Sequence, residues 1–424
     1  MTITINLNNL LIRLILTAIG LLICVIAVDS IRSHFLIRNI ADRRIVMNLD
    51  VLNSAAIRFP DSSRVQLRLA EAELEAAMAD ISKLSSAQQS ALRVANLSPW
   101  DYRGWRLLSL AKESDGNAQE ALNLAQVALN LAPNHSEVNW ALANLLLRQN
   151  RQAEASQALR RATATRADLL PVALDLVWQA SGNDIASLDS LVGEDANAKL
   201  VEAQFLTEQG QTDAAINVFR LVDSQTKLNS ANAPAFVTWL IQAKRGIEAR
   251  QLWLEIVGEK GSDGNGVWNG SFEHTPPKDF GHFDWTIKPS NYARIGFDRS
   301  VAHSGSRSLK LVFAGQNSTK LENEIQQLVV LKANTRYRLE CFVKAVNLVT
   351  QEGPRIAVAG QNGTLAVSLP IDLGSTDWQR LFVEFMAPPE NGMASVTIVR
   401  MPQKDYDGPT KGTVWFDDFR LTQQ

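Results

Sequence analysis

The sequence predicts a multidomain chain: one N-terminal transmembrane helix, an all-α array of helical repeats, and a C-terminal all-β sandwich. Three observations carry this. The run from Leu10 to Val28 is 19 residues long and holds a single charge, Arg13. From about residue 40 to 257, apolar residues recur at helical spacing, and a motif returns after 34 residues. Beyond residue 266 come short alternating runs separated by turn residues, with no helical pattern between them. A length of 424 residues suits two or three domains.

The first element is justified by length. About 20 residues at a rise of 1.5 Å cross the hydrocarbon of a bilayer. Arg13 lies within a turn of the start, where its stem can snorkel to the headgroups. No small-x-small cleavage pattern follows the run. The Leu22 and Ile23 that precede Cys24 suit a lipoprotein signal poorly. The reading is an uncleaved anchor at 10–28, behind a tail at 1–9 and ahead of a helical juxtamembrane connector at 29–64. Arg32, Arg38, Arg43 and Arg44 follow the span and by themselves place the bulk of the chain in the cytoplasm. Long domains translocate despite such charges, and the function inferred below requires a periplasmic or extracellular location. That is the location expected.

Composition narrows the partners. A formal charge of -2 gives no general attraction to nucleic acid. Cys24 and Cys341 stand in unrelated settings, an apolar run and a strand pattern, so neither a disulfide framework nor a cysteine metal site is expected.

In the helical region, "LRVANLSP" ending at Pro99 matches "AQVALNLAP" ending at Pro133, an offset of 34 residues. One unit carries Trp105, Leu108, Gly116, Ala121, Ala125, Ala128 and Pro133. The next has Trp140, Ala143, Ala155, Leu159 and Ala162, with a turn read as one residue shorter. A more distant unit has Gly210, Ala215, Phe219 and Val222, and a last one Trp239, Gly246, Ala249, Trp253 and Ile256. Small alanines let two helices approach, glycine permits the tight turn, and proline ends the second helix. Residues 65–257 thus resemble the tetratricopeptide-repeat family, with 163–198 fitting poorly. The resemblance implies stacked helical hairpins that bind protein partners; a spacer role remains open. "GEKGSDGNG", residues 258–266, reads as a flexible linker.

The strand region, 267–424, contains "WNGSFE", "HSGSRSLKLVF", "LKANTRYRLECFVKA", "TDWQRLFVEFMAP" and "GTVWFDDFRL" in order. This order resembles the galactose-binding-like jelly rolls, and within them carbohydrate-binding modules of families 4 and 9. The resemblance implies a non-catalytic sugar-binding sandwich, commonly with a structural calcium between the first and last strands. Glu273 and Asp418 or Asp417 stand at the matching positions, and hard carboxylate oxygens suit calcium. Alternatively, the aspartates cap the strand or pair with Arg420, Arg294 or Arg299. Regular alternation puts Phe419 and Leu421 on the face of Asp417, leaving Asp418 on the other.

Sugar rings stack on flat aromatic faces while their hydroxyls take directed hydrogen bonds. The candidate platforms are Tyr292, Tyr406 and Trp268, with Arg294, Gln316 and Arg355 as polar companions. Trp285 and Trp378 match positions that look structural. Catalysis is not expected. Adjacent Asp417 and Asp418 point to opposite faces and cannot flank one glycosidic bond. The five histidines form no H-E-x-x-H pair, and neither a nucleophile elbow nor a P-loop is present. The expected function is a membrane-anchored adaptor that binds a polysaccharide through the sandwich and proteins through the repeats, in envelope or exopolysaccharide assembly. The alternative is a protein scaffold whose sandwich binds no sugar.

Overall fold

The computed structural model describes residues 10–42, 45, 47–258, 266–315, 320–390, 392–402 and 409–424, with the side chains of the first helix from residue 14 on. The chain forms two compact units, Met1–Glu194 and Asp195–Gln424. The division falls inside the helical repeats.

In the first unit, helix α1 (Leu10–Ala41) is long and apolar enough to cross a membrane, and none of that stretch is buried. Its far end is different. Ile37 and Ile40 pack against Leu52, Ala55 and Ala56 of α2 (Leu49–Arg58) and against Val65 and Leu69 of α3 (Ser63–Ala79). The apolar helix therefore runs without a break into the first packed hairpin.

Helices α4 (Leu84–Leu97), α5 (Tyr102–Ser114), α6 (Ala118–Leu131), α7 (Ser136–Arg148) and α8 (Gln152–Thr165) continue the array, followed by the shorter α9 (Leu170–Ala180) and α10 (Ala186–Val192). Ala121, Ala125 and Ala128 on α6 are buried against the neighbouring helix, where a larger side chain would overpack by roughly 1–3 kcal/mol. From α5 to α7 and from α6 to α8 the starts are both 34 residues apart (102 to 136, 118 to 152). The turn of the second repeat is therefore not one residue shorter. Trp105 donates its indole N–H to the Pro99 carbonyl at 2.8 Å, and Asn139, 34 positions on, donates its amide to the Pro133 carbonyl at 2.7 Å. Asn139, not Trp140, occupies the position of Trp105. Asn150 takes the left-handed turn conformation that Gly116 takes one repeat earlier, with φ of 59° against 81°.

The second unit begins with α11 (Ala196–Glu208), capped by the Asp195 carboxylate on the Ala198 N–H at 3.0 Å. Then come α12 (Thr212–Leu221), α13 (Ser224–Asn229), α14 (Asn232–Gln242) and α15 (Gly246–Val257). Ten strands follow: β1 (Thr286–Ile287), β2 (Ala293–Asp298), β3 (Ser308–Ala314), β4 (Ile325–Leu331), β5 (Arg336–Val349), β6 (Arg355–Gly360), β7 (Gly363–Val367), β8 (Gly374–Met386), β9 (Gly392–Val399) and β10 (Lys411–Gln423). They build two antiparallel five-stranded sheets, ordered β1-β4-β9-β6-β7 and β2-β3-β10-β5-β8. Alternation turns Ile325 and Val329, Val396 and Ile398, Leu339 and Val343 inward to one continuous apolar core.

The last helical hairpin is part of this body. Trp253 of α15 has no exposed surface; it meets Trp268 edge-on at 5.1 Å and Phe283 at 5.5 Å. Gly246, read from the sequence as a turn glycine, is the first residue of α15. The left-handed turn residue is Lys244, φ 62°. A Cβ on Gly246 would stand 2.5 Å from Met393 Cγ on β9, so glycine is there for close approach to the sheet. Of the linker read at 258–266, residues 259–265 lie outside the described residues.

Candidate functional site

The outward face of the β1-β4-β9-β6-β7 sheet carries a groove of about 570 Å³. Its floor follows from strand alternation. On β6, Ile356 and Val358 enter the core, so Arg355, Ala357 and Ala359 face out; on β9, Ser395, Thr397 and Val399 do the same. Register sets them side by side: Gln326, Thr397, Ala357 and Val367 form one row across four strands, and Ser395, Ala359 and Thr364 part of the next. Alanine, serine and threonine on adjacent strands leave the concavity. Around it stand an amide (Gln326), a second amide (Asn323), hydroxyls (Thr364, Ser395, Thr397) and the Arg355 guanidinium. Arg355 donates from Nη1 to the Ser368 carbonyl at 2.8 Å and pairs with Glu352, which fixes its plane at the rim. Glu322, the other rim carboxylate, pairs with Lys320 at 3.1 Å.

The helical hairpin touches the same sheet face: Gly246 lies on Met393 and Val330, the outward residues at the opposite ends of β9 and β4 from the groove. One end of the face is thus covered by α15 and the other is open.

A second constellation gathers around the loop 303–307. Glu273 accepts from the N–H (2.8 Å) and hydroxyl (2.6 Å) of Ser306 and from the Arg307 N–H at 2.9 Å. Asp417 accepts the His303 N–H at 2.8 Å and the Ser304 N–H at 3.3 Å; Asp418 accepts the Ser304 hydroxyl at 2.7 Å and meets His303 Nδ1 at 2.6 Å. Gly305 sits between the two sets with φ 62°, and a Cβ there would lie 2.6 Å from Glu273 Oε1. Behind them the opening and closing motifs touch directly: the Phe419 N–H donates to the Gly270 carbonyl at 2.9 Å.

Asp417 occupies a face other than the one that regular alternation gives, while Asp418 lies on the face away from Phe419 and Leu421, as alternation gives. Asp418 has φ 50°, and the pairing of β10 with β5 slips between Asp417 and Arg420. This β-bulge switches the strand's parity. Phe416 and Phe419 both enter the core, whereas Asp417 pairs with Phe342 on the outer face, beneath the loop whose His303 stacks on Phe342 at 3.7 Å. Asp417 is nonetheless fully buried. Burial pushes its carboxyl up to about 6, with the Asp418 charge adding to the rise and the N–H bonds from His303, Asp418 and Ser304 opposing it. Glu273 is more exposed; burial would raise it, but the Ser306 and Arg307 donors outweigh this and hold it below the usual range.

The expected calcium ligands therefore reach one loop. Their oxygens accept hydrogen bonds from it, and among the described residues no group of three or more His, Cys, Asp or Glu is arranged to hold a metal. The oxygen donors match a hard cation in kind, and Asp417 is a buried carboxylate whose hydrogen bonds come from the backbone N–H groups of His303, Ser304 and Asp418.

The expected sugar residues do not converge. Arg355 lines the groove. Tyr292 immediately precedes β2 and Arg294 lies in it, in the other sheet. Trp268, 2% exposed, exchanges backbone hydrogen bonds with the Gln327 side chain (3.1 and 2.6 Å) and packs on Trp253. It offers no ring face to solvent, because the docked helix needs it. Trp285 donates to the Asn269 carbonyl at 3.1 Å and packs on Phe419. Tyr406 and Gln316 lie outside the described residues.

The groove itself was missed in the sequence. Its residues are Ala, Ser and Thr on three strands that are neighbours only after folding, and single alternate positions of that kind carry no signal.

The tetratricopeptide repeat family model matches residues 114–176. No curated protein sequence matches this chain. Among solved structures, the enzymatically active domain of bacteriophage CBA120 tailspike protein 4 is similar at 16% identity and a TM-score of 0.26, over 38% of this chain and 21% of that one. TmCBM61 in complex with beta-1,4-galactotriose is similar at 19% identity and a TM-score of 0.27, over 38% of this chain and 99% of that one. A CBM4 structure is similar at 14% identity and a TM-score of 0.28, over 37% and 99%.

Proposed function

We propose that this chain is a membrane-anchored, non-catalytic adaptor that holds a polysaccharide on its sandwich and protein partners on its helical repeats, in envelope or exopolysaccharide assembly. The observation that carries the reading is the groove: an open trough across four strands, floored by small side chains and edged by amides, hydroxyls and one guanidinium. Such edges match the hydroxyls of a chain of sugars. Both rim carboxylates are engaged by cations, Glu352 by Arg355 and Glu322 by Lys320, which suits binding better than acid–base chemistry. The α14–α15 hairpin seated on the same sheet links a loaded sandwich to the helices directly. The reading puts α1 across the inner face of an envelope, with the bulk periplasmic or extracellular.

A structural calcium at Glu273, Asp417 and Asp418 belongs to the same proposal. It would offset the buried Asp417 charge and pin the loop 303–307 between the first and last strands.

One observation favours the pure scaffold instead: among the described residues that line the groove none is aromatic, so none of these offers a ring for sugar stacking. Affinity electrophoresis of the chain in gels containing individual polysaccharides decides between them. Retardation by at least one glycan, weakened by Arg355→Ala, supports the adaptor. Unretarded migration across a broad panel, with the fold intact by circular dichroism, supports the scaffold.

A further inference from the structure

A cleft of about 520 Å³ opens beside the end of α1, within the first unit. Arg38, Ala41 and Asp42 line it from the end of α1, Arg64, Leu67 and Arg68 from α3, and Arg103 from α5. Four guanidiniums thus face one carboxylate across the cleft. Arg64 and Arg68 are four residues apart and share a helix face, an arrangement that repels when nothing lies between.

Internal partners satisfy only part of this charge. Asp101 grips Arg103 bidentately, at 2.9 Å to Nε and 2.6 Å to Nη2. Arg68 donates to the Ile45 carbonyl at 3.2 Å and reaches Glu71 only at 3.5 Å, while its Nε is buried with no partner among the described residues. Arg38 and Arg64 have neither an ion pair nor a hydrogen bond among the described residues, and both are exposed. Two arginines are therefore positioned by carboxylates and two are left to reach an outside anion. Forked N–H donors match the paired oxygens of a phosphate.

The cleft's height along α1 says where that phosphate comes from. Apolar side chains face outward on α1 from Leu14 as far as Ile31, Phe35 and Leu36, which are 69%, 63% and 41% exposed. From Leu10 to Val28 the apolar run rises about 27 Å, close to the roughly 30 Å of bilayer hydrocarbon, and Asp29, Arg32 and His34 follow it into the headgroup layer. Arg38 stands about 15 Å of rise beyond Val28, at the outer edge of the headgroup layer, where its long side chain can reach back to a lipid phosphate. Because Ile37 and Ile40 pack into the α2–α3 hairpin, the cleft is fixed at that level and cannot swing away.

We propose that this cleft binds the phosphate headgroup of an anionic membrane lipid. It rests on α1 crossing the bilayer, as in the adaptor reading, and is independent of the sandwich. The test is thermal unfolding of the full chain in an uncharged detergent, titrated with short-chain phosphatidylglycerol and, separately, with inorganic phosphate. The lipid is expected to raise the melting temperature saturably by a few degrees, less so at high salt. Arg38→Gln with Arg64→Gln, both solvent-facing, is expected to abolish the shift and leave the lipid-free melt unchanged. An equal response in the double variant, or none in the unmodified chain, overturns the proposal. So does a response that inorganic phosphate saturates, leaving nothing for the lipid to add. Failure of the span itself reads differently: the chain would then leave membranes in alkaline carbonate, whereas a failed cleft leaves it embedded and indifferent to the lipid.

Discussion

The indole N–H of Trp253 donates to the backbone carbonyl of Phe280 at 2.7 Å, so the last repeat helix and the sandwich share a buried hydrogen bond as well as a packed aromatic cluster. A sequence with glycine-rich residues between the two regions suggests a loose tether. The structure instead seats the hairpin on the sheet, and this contact governs how the two regions unfold.

Trp253→Ala is expected to destabilise the second unit by roughly 3–5 kcal/mol, since it opens a large cavity and orphans a buried carbonyl. Trp253→Phe keeps most of the packing and loses the bond, at about 1–2 kcal/mol. Urea unfolding followed by tryptophan fluorescence and far-ultraviolet circular dichroism checks both. Sandwich and helices should unfold together in the parent chain. Separate transitions in the parent would show that the hairpin contact is weak.

Asp417 makes stability depend on pH. Its folded value, about 6, lies above the ordinary value of 3.8, so between these the folded state holds the extra proton. Stability from this group is full below about pH 4 and is lost as pH rises through 6. The loss is on the order of 2–3 kcal/mol at about 1.4 kcal/mol per unit. Asp417→Asn should flatten this part of the profile and raise stability at pH 7 without calcium. A variant with the parent's slope between pH 4 and 6 would assign that slope elsewhere.

Calcium separates the two roles of the same residues. With a bound ion, the melting temperature of the parent rises on adding calcium and falls with EDTA, and Asp418→Ala or Asp417→Asn removes the response. A melt indifferent to both reagents leaves the carboxylates as a hydrogen-bonded clasp. In either case Glu273→Ala frees three donors of the loop 303–307, at an expected cost of roughly 1–3 kcal/mol.

The groove can be closed without touching the core. Ala359→Phe places a ring on its floor from an outward-facing position, and should abolish glycan retardation while leaving the melting temperature within about 2 °C. Arg355→Ala should weaken retention at least about tenfold, the worth of one charge-assisted hydrogen bond at about 1.5 kcal/mol. Tyr292→Ala, in the other sheet, should change nothing. Loss of retention in Tyr292→Ala alone would move the site to β2.

What the sequence determined is what repeats or alternates. The apolar run of α1, the 34-residue period with its buried alanines, and the two-residue period of the strands each state a local geometry that tertiary packing only confirmed. The order of motifs likewise brought Glu273 and the aspartates to one loop. Tertiary structure decided whatever depends on one residue breaking a period or on strands that meet only after folding. A single left-handed residue, Asp418, reverses the faces of β10 and moves Asp417 out of the core, because one inserted residue shifts every later side chain by one position. Trp268 became core because a helix came to rest on it. The groove exists because small residues of β6 and β9, far apart in the chain, were set into the same rows.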